Sequence, residues 1–337
     1  MTNTTHPFSV PKTPTMKRLL FAALLPLILL MGHTGCTTTP PSANDSIDSL
    51  SLRVGLLPTL DCLPFYIAEE KGIFDTLGLN IRLITYSCAM NCDTAFLRHH
   101  LDCAVSDIVK AQVWNAENDS VRALMTTDLR LYLLTSRQAR IMNTESIKEK
   151  IIAITRNSVC DMILDNISKS VKLSSLEVNK PQINDFDLRL SMLVQNQYDG
   201  ALLPEPYASM AQQRGARRVS DSDRFCKDLS LLVAHLSTVE QRQNDLKLLV
   251  KAYNIGVDSI NARIDQGQGH DLIAAMPVND FENDTTLTLR HFRHASLPND
   301  SSLTAARTWA TGRQLIPAKK AAGQLIDSTF VKNTNRH

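Results

Sequence analysis

The chain has 337 residues, enough for two domains, and 43% of them are hydrophobic, so a full core can be buried. Its 36 Lys and Arg residues nearly balance its 34 Asp and Glu residues, and only 5% of its residues are aromatic. With no basic excess and few rings to stack on bases, the composition gives no reason to expect nucleic acid as a partner.

The first segment of the chain has the pattern of an export signal. The charged Met16-Lys17-Arg18 precedes an apolar run over 19–31, which is short for a membrane span of about 20 residues. The ending Gly35-Cys36 resembles that of bacterial lipoprotein signals, which implies that 1–35 is removed and that Cys36 carries the lipid. His33 stands where that pattern prefers Leu, so an uncleaved anchor and simple secretion stay open as alternatives.

The next stretch, 36–49, is rich in Thr, Ser, Pro and Asn and is expected to be a flexible tether. After it, the spacing of apolar residues predicts a strand–helix–strand–helix–strand series. The predicted strands are Leu50–Leu57, Leu79–Ile84 and Asp102–Ser106, and the predicted helices start at Pro64 and cover Asp93–His99. This alternation is typical of parallel α/β domains.

A second α/β unit follows. Its predicted strands are Ile151–Ile154, Gln182–Phe186 and Gly200–Leu203, and its predicted helices are Val159–Ser168 and Leu188–Gln195. The last part of the chain is predicted to contain a capping box at Ser237-x-x-Glu240, an apolar helical stripe from Leu246 to Ile264 and a helix over Leu303–Leu315. Because no Gly/Pro-rich linker separates the two units, short crossings between them are predicted at Leu131–Thr135 and Leu229–Leu236.

Several segments together resemble a known family. Val54–Phe74, with its Pro-aromatic pair and Lys71-Gly72-Ile73-Phe74, is similar to the opening of solute-binding proteins of nitrate/sulfonate/taurine and thiamine-precursor importers. Asp102–Asp107 resembles the family segment that delivers Ser/Thr-Asp to a cleft, and Asp199–Ala208 resembles its late motif. The Trp-containing stretch over 303–330 is similar to the family's ending.

The resemblance covers about residues 50–330 and implies a fold. That fold is α/β, periplasmic-binding-protein-like type II, with two α/β lobes joined by two crossing strands. Lobe 1 is expected from 50–131 plus 233–330, and lobe 2 from 132–232. The implied function is the solute-binding component of an ABC importer, which captures a small polar metabolite between the lobes and delivers it to a membrane permease. A monomer held by its lipid anchor at the periplasmic face of a membrane is expected.

Candidate binding residues follow the predicted strand ends, because ligands of α/β sheets lie outside the carboxyl ends of the strands. They are Thr59, Asp61, Cys62, Ser87, Cys88, Asp93, Ser106, Asp107, Asn157, Ser158 and Glu205. Asp61 and Asp107 are equally suited to capping the helices after them, and Ser158 to capping alone. The acidic members favour a ligand with donors or positive charge over a bare anion, unless Arg156 or Arg189 neutralises them.

Cysteines are frequent near this predicted cleft. Three interpretations stay open for them: small buried hydrophobes, which we favour, one or two disulfides such as Cys88–Cys92 or Cys62–Cys88, and a soft-metal site. The residues concerned are Cys62, Cys88, Cys92, Cys103, Cys160 and Cys226. The pairs His99-His100 and His291/His294 are expected at the surface, and neither a metal site nor a cofactor is predicted.

The sequence favours a binder over an enzyme. It contains no nucleophile elbow, Walker loop, dinucleotide glycine fingerprint or His-Glu-x-x-His motif. One alternative is a pyrimidine-synthase-like enzyme of the same fold, although its dense cysteine run is matched only weakly by Cys88-x-x-x-Cys92. The other is a lipoprotein that senses or scaffolds. The residues do not identify the ligand.

Overall fold

Two β-sheets organise the part of the chain that this computed structural model describes, residues 50–118, 120–278, 287, 289–320 and 323–331. These residues belong to one folded unit that starts at Ser49. The predicted signal peptide, tether and lipidation site at Cys36 lie outside the described residues. Within the described ranges, no helix combines the length and apolarity that a membrane crossing needs.

Strands and helices alternate along most of the chain. The strands are β1 (Leu52–Leu56), β2 (Ile81–Thr85), β3 (Cys103–Asp107), β4 (Val121–Thr127), β5 (Leu131–Thr135), β6 (Ile152–Ala153), β7 (Gly200–Pro204), β8 (Arg217–Asp221) and β9 (Ser230–His235). The helices are α1 (Leu63–Glu70), α2 (Ile73–Thr76), α3 (Ala89–Leu97), α4 (Ile108–Asn118), α5 (Val159–Ser170), α6 (Phe186–Val194), α7 (Tyr207–Gln213), α8 (Leu236–Gln241), α9 (Gln243–Asp265) and α10 (Asp300–Gly312).

The strand order defines two lobes. Lobe 1 contains the sheet β2-β1-β3-β9-β4, and lobe 2 contains the sheet β6-β7-β5-β8. Strands β1, β2 and β3 run parallel, whereas β9 is antiparallel to both of its neighbours, β3 and β4. In lobe 2, β6 is parallel to β7, and β5 is antiparallel to β7 and β8. The expected parallel sheets are therefore mixed sheets, because one strand in each lobe returns in the opposite direction.

The chain passes between the two sheets in the segments 128–130 and 222–229. The strands predicted as crossings exist as β5 and β9, but each lies wholly within one sheet, where ladder hydrogen bonds on both sides hold it. The crossings are therefore the short segments just before these strands. The predicted lobe limits at 131/132 and 232/233 stay predictions.

The apolar core joins the two lobes. Leu133 and Ile154 of lobe 2 belong to the same buried cluster as Ala104 and Trp114 of lobe 1. On the other face of the lobe 1 sheet, α9 buries most of the predicted apolar stripe against α1. The two helices approach closely at Gly256, where an added Cβ would lie 2.3 Å from the carbonyl oxygen of Pro64. A side chain at this position would therefore force the helices apart.

Two predicted elements are wrong. The segment Gln182–Phe186 forms only a single bridge, between Ile154 and Gln182, and no strand. This segment cannot continue as a strand because Asp185 caps α6, where its side chain accepts a hydrogen bond from the Leu188 amide at 3.0 Å. The capping box is also wrong, because α8 already begins at Leu236 and Ser237 lies inside the helix. Helix α3 begins at Ala89, earlier than predicted, and α4, β4 and β8 were not predicted.

Candidate functional site

Two adjoining cavities lie between the lobes and share Asp61, Leu129 and Pro204 in their walls. We call them the inner cavity, of about 50 Å³, and the outer chamber, of about 250 Å³. The polar side chains of the inner cavity include Thr59, Asp61, Ser106, Asp107, Ser158 and Ser230. Those of the outer chamber include Asp128, Arg130, Tyr132, Glu205, Arg218 and Arg290.

Asp61 lies in the short 3₁₀ turn after β1 and is 2% exposed. Its Oδ1 accepts the Thr59 hydroxyl at 2.6 Å, and its Oδ2 accepts the hydroxyls of Thr127 at 2.8 Å and Ser230 at 2.9 Å. Thr127 ends β4 and Ser230 begins β9, so Asp61 is fixed to the two strands that flank the crossings. Burial raises the pKa of Asp61, and the three hydroxyls oppose that rise.

Asp107, the last residue of β3, joins the two lobes. Its Oδ1 accepts the Lys110 amide at 2.9 Å and so caps α4. The backbone amide of Val159, the first residue of α5 in lobe 2, is near enough to lower the pKa of this carboxyl, and both residues line the inner cavity. A carboxylate of lobe 1 therefore lies at the helix N-terminus of lobe 2, where the helix dipole favours negative charge. Burial raises the pKa of Asp107, and the nearby Lys110 lowers it.

Asp93 lies behind the wall of the inner cavity. It is 7% exposed, and its Oδ1 accepts the hydroxyl of Ser106 at 2.7 Å. Burial, and secondarily the negative charge of Asp107, raises the pKa of Asp93 to about 7. The inner cavity is thus backed by carboxyl groups on the lobe 1 side.

The outer chamber is lined by guanidinium groups as well as carboxylates. The Arg218 guanidinium lies 3.6 Å from the centre of the Tyr132 ring. Arg130 and Arg290 contact the same Oδ2 atom of Asp223, at 2.8 Å and 3.4 Å. Opposite the arginines, Glu205 accepts the Ser209 amide at 2.9 Å.

No protein-family model and no curated protein matches the sequence. Solved structures do match. The ligand-binding component of an ABC-type import system from Staphylococcus aureus, with zinc bound, has a TM-score of 0.70 and 14% identity, over 85% of this chain and 99% of that one. An alkanesulfonate-binding protein from Xanthomonas axonopodis pv. citri, bound to MOPS, has a TM-score of 0.68 and 12% identity, over 82% and 98%. A periplasmic nitrate-binding protein from Synechocystis PCC 6803 has a TM-score of 0.67 and 12% identity, over 82% and 86%.

The chain has the periplasmic-binding-protein fold. This confirms the predicted fold class, and the structural neighbours are solute-binding proteins of the type that the sequence resembles. The same fold also occurs in a desulfurization enzyme, with a TM-score of 0.57 and 15% identity, over 82% of this chain and 97% of that one. A periplasmic-binding-protein fold alone therefore does not separate a binder from an enzyme.

The structure brings some of the predicted site residues together. Thr59, Asp61, Ser106, Asp107 and Ser158 line the inner cavity, and Glu205 lines the outer chamber. Two of the residues also cap helices, as the alternative interpretation predicted. Ser158 caps α5 by accepting the Cys160 amide at 3.1 Å, and Asp107 caps α4 by accepting the Lys110 amide. These residues were found because, in a periplasmic-binding-protein fold, strand ends meet at the cleft.

Other predicted residues lie elsewhere. Cys62 is fully buried in the core beside α1. Cys88 and Asp93 are buried behind the inner wall, and Ser87 and Asn157 are exposed. None of these five is among the residues that line the two described cavities.

The sequence did not indicate several polar groups of the site. Thr127 and Ser230 sit at the ends of apolar runs, a signal that could have been used had β4 been predicted. The Arg218–Tyr132 contact has no local signal, because it depends on the register of β5 against β8.

The two arginines considered as neutralising partners serve other groups. Arg189 is fully buried and donates to the carbonyl oxygens of Ile183 and Leu202 and to the Thr155 hydroxyl. Arg156 donates to the Lys180 carbonyl at 2.8 Å. In the described part of the chain, neither arginine forms an ion pair with a cleft carboxylate.

All six described cysteines are free and buried, which confirms the favoured interpretation of small buried hydrophobes and removes the disulfides. Among the described residues, no group of three or more His, Cys, Asp or Glu side chains is placed to hold a metal ion. His291 and His294 lie in a non-helical segment and pair at the surface with Asp265 and Asp258.

Proposed function

We propose that this chain is the solute-binding component of an ABC importer, which captures a small polar metabolite in the cleft and delivers it to a membrane permease. The observation that carries the proposal is the two-part cavity between the lobes of a periplasmic-binding-protein fold. Hydrogen-bonding groups of both lobes face it: Thr59, Asp61 and Ser106 from lobe 1, and Ser158 and Glu205 from lobe 2. A few such groups orient a ligand, while apolar walls supply contact area.

Closure follows from this placement. A ligand bonded to both lobes stabilises the conformation in which they meet, and the two short crossings are the natural hinges. The two lobes already contact each other through the backbone bond from the Leu60 amide to the Glu205 carbonyl, at 3.0 Å. This contact supports a two-lobed clamp as the working unit.

Location is part of the same proposal. The signal over 1–35 would direct export and be removed, and the lipidated Cys36 and the tether would then hold a monomer at the periplasmic face of a membrane, where the permease lies. Two observations support this location: the sequence pattern of the first 49 residues, and the presence of periplasmic binding proteins among the structural neighbours.

Thiol chemistry supports a binder over a cysteine-dependent enzyme. Cys160 lines the inner cavity, but burial raises the pKa of its thiol. Burial likewise raises the pKa of the Cys62 and Cys92 thiols. A protonated, buried thiol is a poor nucleophile and a poor metal ligand.

Mass spectrometry of full-length protein extracted from membranes tests the proposal. Under native conditions we expect a co-purified small molecule, and under denaturing conditions the mass of a chain that begins at a lipidated Cys36. Bound iron would favour the enzyme alternative, and an empty cleft with no response to a metabolite library would favour the scaffold.

A thermal-shift assay then measures binding. A ligand at a hundredfold excess over its dissociation constant stabilises the folded state by about 2.7 kcal/mol. Asp107→Ala and Glu205→Ala are expected to weaken binding of the identified molecule. If both variants bind it as the wild type does, the ligand lies outside this cleft.

A further inference from the structure

The two cavities differ in charge. Within the described residues, no Lys or Arg side chain lines the inner cavity, and its charged groups are Asp61 and Asp107. Three guanidiniums, those of Arg130, Arg218 and Arg290, line only the outer chamber. The carboxylates of Asp128 and Glu205 also line the outer chamber, so a molecule that spans both spaces meets carboxylates alone at one end and guanidiniums beside carboxylates at the other.

The inner cavity suits a small cationic group. About 10–15 Å³ of such space holds one water, so a cavity of about 50 Å³ accepts a few waters or one ammonium or amidinium group. Asp61 is held by three neutral hydroxyls and, among the described residues, forms no ion pair. Neutral donors offset the cost of burying a carboxylate only in part, and an entering cation would offset the rest.

The inner cavity disfavours a bare anion. The helix N-terminus that could attract one, that of α5 at Val159, faces the inner cavity together with the Asp107 carboxyl. An anion placed there would have to displace Asp107 and then lie beside two carboxyl groups. Like charges in contact repel strongly in a buried site, where the dielectric constant is low.

The outer chamber suits an anionic group. Arg130 and Arg290 share the single carboxylate of Asp223, so these two guanidiniums outnumber the carboxylate that they contact. The Arg218 guanidinium lies over the Tyr132 ring, 3.6 Å from its centre, and is 3.8 Å from the Asp221 carboxylate. Guanidiniums held by stacking keep their N–H edges available for a carboxylate, phosphate or sulfonate.

We propose that the ligand is dipolar, with an ammonium or amidinium head that enters the inner cavity beside Asp61 and an anionic tail that lies among the arginines of the outer chamber. This assignment rests on the proposed function, since it names the class of solute that the cleft captures. It separates the chain from receptors for simple anions such as nitrate.

Three matched probes test the two ends separately: 4-aminobutanoate has both groups, butylammonium has the head alone and butanoate has the tail alone. Binding to the full chain is measured by thermal shift and titration calorimetry. We expect 4-aminobutanoate to bind best and butanoate to bind worst. Nitrate and ethanesulfonate serve as anion-only competitors and are expected to bind no better than butanoate.

Variants locate each end. Asp61→Asn is expected to weaken 4-aminobutanoate and butylammonium at least tenfold, with little effect on butanoate. Arg218→Met is expected to weaken 4-aminobutanoate but leave butylammonium unchanged. Asp75→Asn, at an exposed carboxylate of α2, is the matched control and should bind all probes as the wild type does.

The results separate this inference from the proposed function. Tighter binding of nitrate or ethanesulfonate than of the amine probes, or amine binding that Asp61→Asn leaves unchanged, overturns the dipolar assignment while a solute-binding role stands. A chain that binds none of the probes and carries no co-purified molecule in the native mass spectrum contradicts the proposed function, and the dipolar assignment with it.

Discussion

At the inner cavity, the carboxyls of Asp61 and Asp107 receive hydroxyl and amide hydrogens and no ion pair from the described residues. On α5, the carboxyls of Asp161 and Asp165 are as buried as that of Asp61 but contact cations. Lys180 binds both, at 3.0 Å from Asp161, and α10 of lobe 1 and the residue directly after it supply further groups at the same place. These are the Arg313 guanidinium, at 3.2 Å from Asp161, and the Trp309 indole, at 2.8 Å from Asp165.

The contrast separates structure from function at one lobe interface. A buried carboxylate with a cation and hydrogen bonds is internally compensated, and breaking such a cluster is costly. A buried carboxylate that receives only neutral hydrogen-bond donors is stabilised most by a cation that a bound ligand supplies. We therefore assign the Lys180 cluster to holding the lobes together and the inner cavity to recognition.

The largest effect is expected from Lys180→Met, which leaves the two buried carboxylates of Asp161 and Asp165 with the half-buried Arg313 as their remaining cation. We expect a loss of about 3–5 kcal/mol in the free energy of unfolding, measured by urea denaturation. Lys169→Met is the control and should change the free energy of unfolding little, because Lys169 is exposed on α5, the helix that carries Asp161 and Asp165. A loss equal to that of the control would mean that Lys180 is not the cation that compensates the Asp161/Asp165 cluster, and its assignment to holding the lobes together would be wrong.

A smaller loss is expected from Trp309→Phe, which removes the indole N–H bond to Asp165 and keeps an aromatic ring. Hydrogen bonds to charged groups contribute about 1.5–3 kcal/mol, so the free energy of unfolding should fall by about that amount. Trp114→Phe, in the same apolar cluster, controls for the smaller ring. Equal losses in the two variants would assign the effect to packing rather than to the bond across the lobes.

The prediction most diagnostic for the inner cavity is a change in pH dependence on Asp93→Asn. The pKa of Asp93 is about 7 in the folded chain and near 4 when unfolded. Between these values the folded state keeps a proton that the unfolded state loses, so stability falls as pH rises from about 4 to about 7 and is level above. The groups that act on Asp93 are Ser106, Asp107 and Lys110.

Melting temperatures of the wild type and Asp93→Asn across this pH range measure the difference. We expect the wild type to lose stability relative to the variant as pH rises through the window, whereas Asp75→Asn should follow the wild type. Parallel curves for the wild type and Asp93→Asn would show that this carboxyl titrates as an exposed one does.

The sequence predicted the parts that depend on local pattern. Asp61 and Asp107 were found because a buried strand followed by an acidic residue is visible without any tertiary knowledge. Strand β4 was missed because all of its residues, including Arg122 and Thr127, are buried, so it lacks the alternation that marks a half-exposed strand. Residues 182–185 are extended as predicted, but they find a single pairing rung before Asp185 starts a helix.

The charge pattern of the cleft lay beyond sequence reasoning for a different reason. Arg218 reaches Tyr132 only through the antiparallel register of β8 on β5, and Arg290 reaches Asp223 from a distant segment. Such contacts join residues far apart in the chain, and no periodicity of either segment records them. The acidic bias of the inner wall was visible in the sequence, but the arginines opposite were not.

The place of β9 has a consequence for how the molecule is made. All four strands of the lobe 2 sheet precede residue 222, because β8 ends at Asp221. In lobe 1, β3 and β4 do not pair with each other, and each pairs with β9, which comes later in the chain and lies between them. A chain that emerges from its N-terminus therefore finishes its inserted lobe first and carries two open strand edges until the return strand is delivered. The part that begins the chain is the last to close.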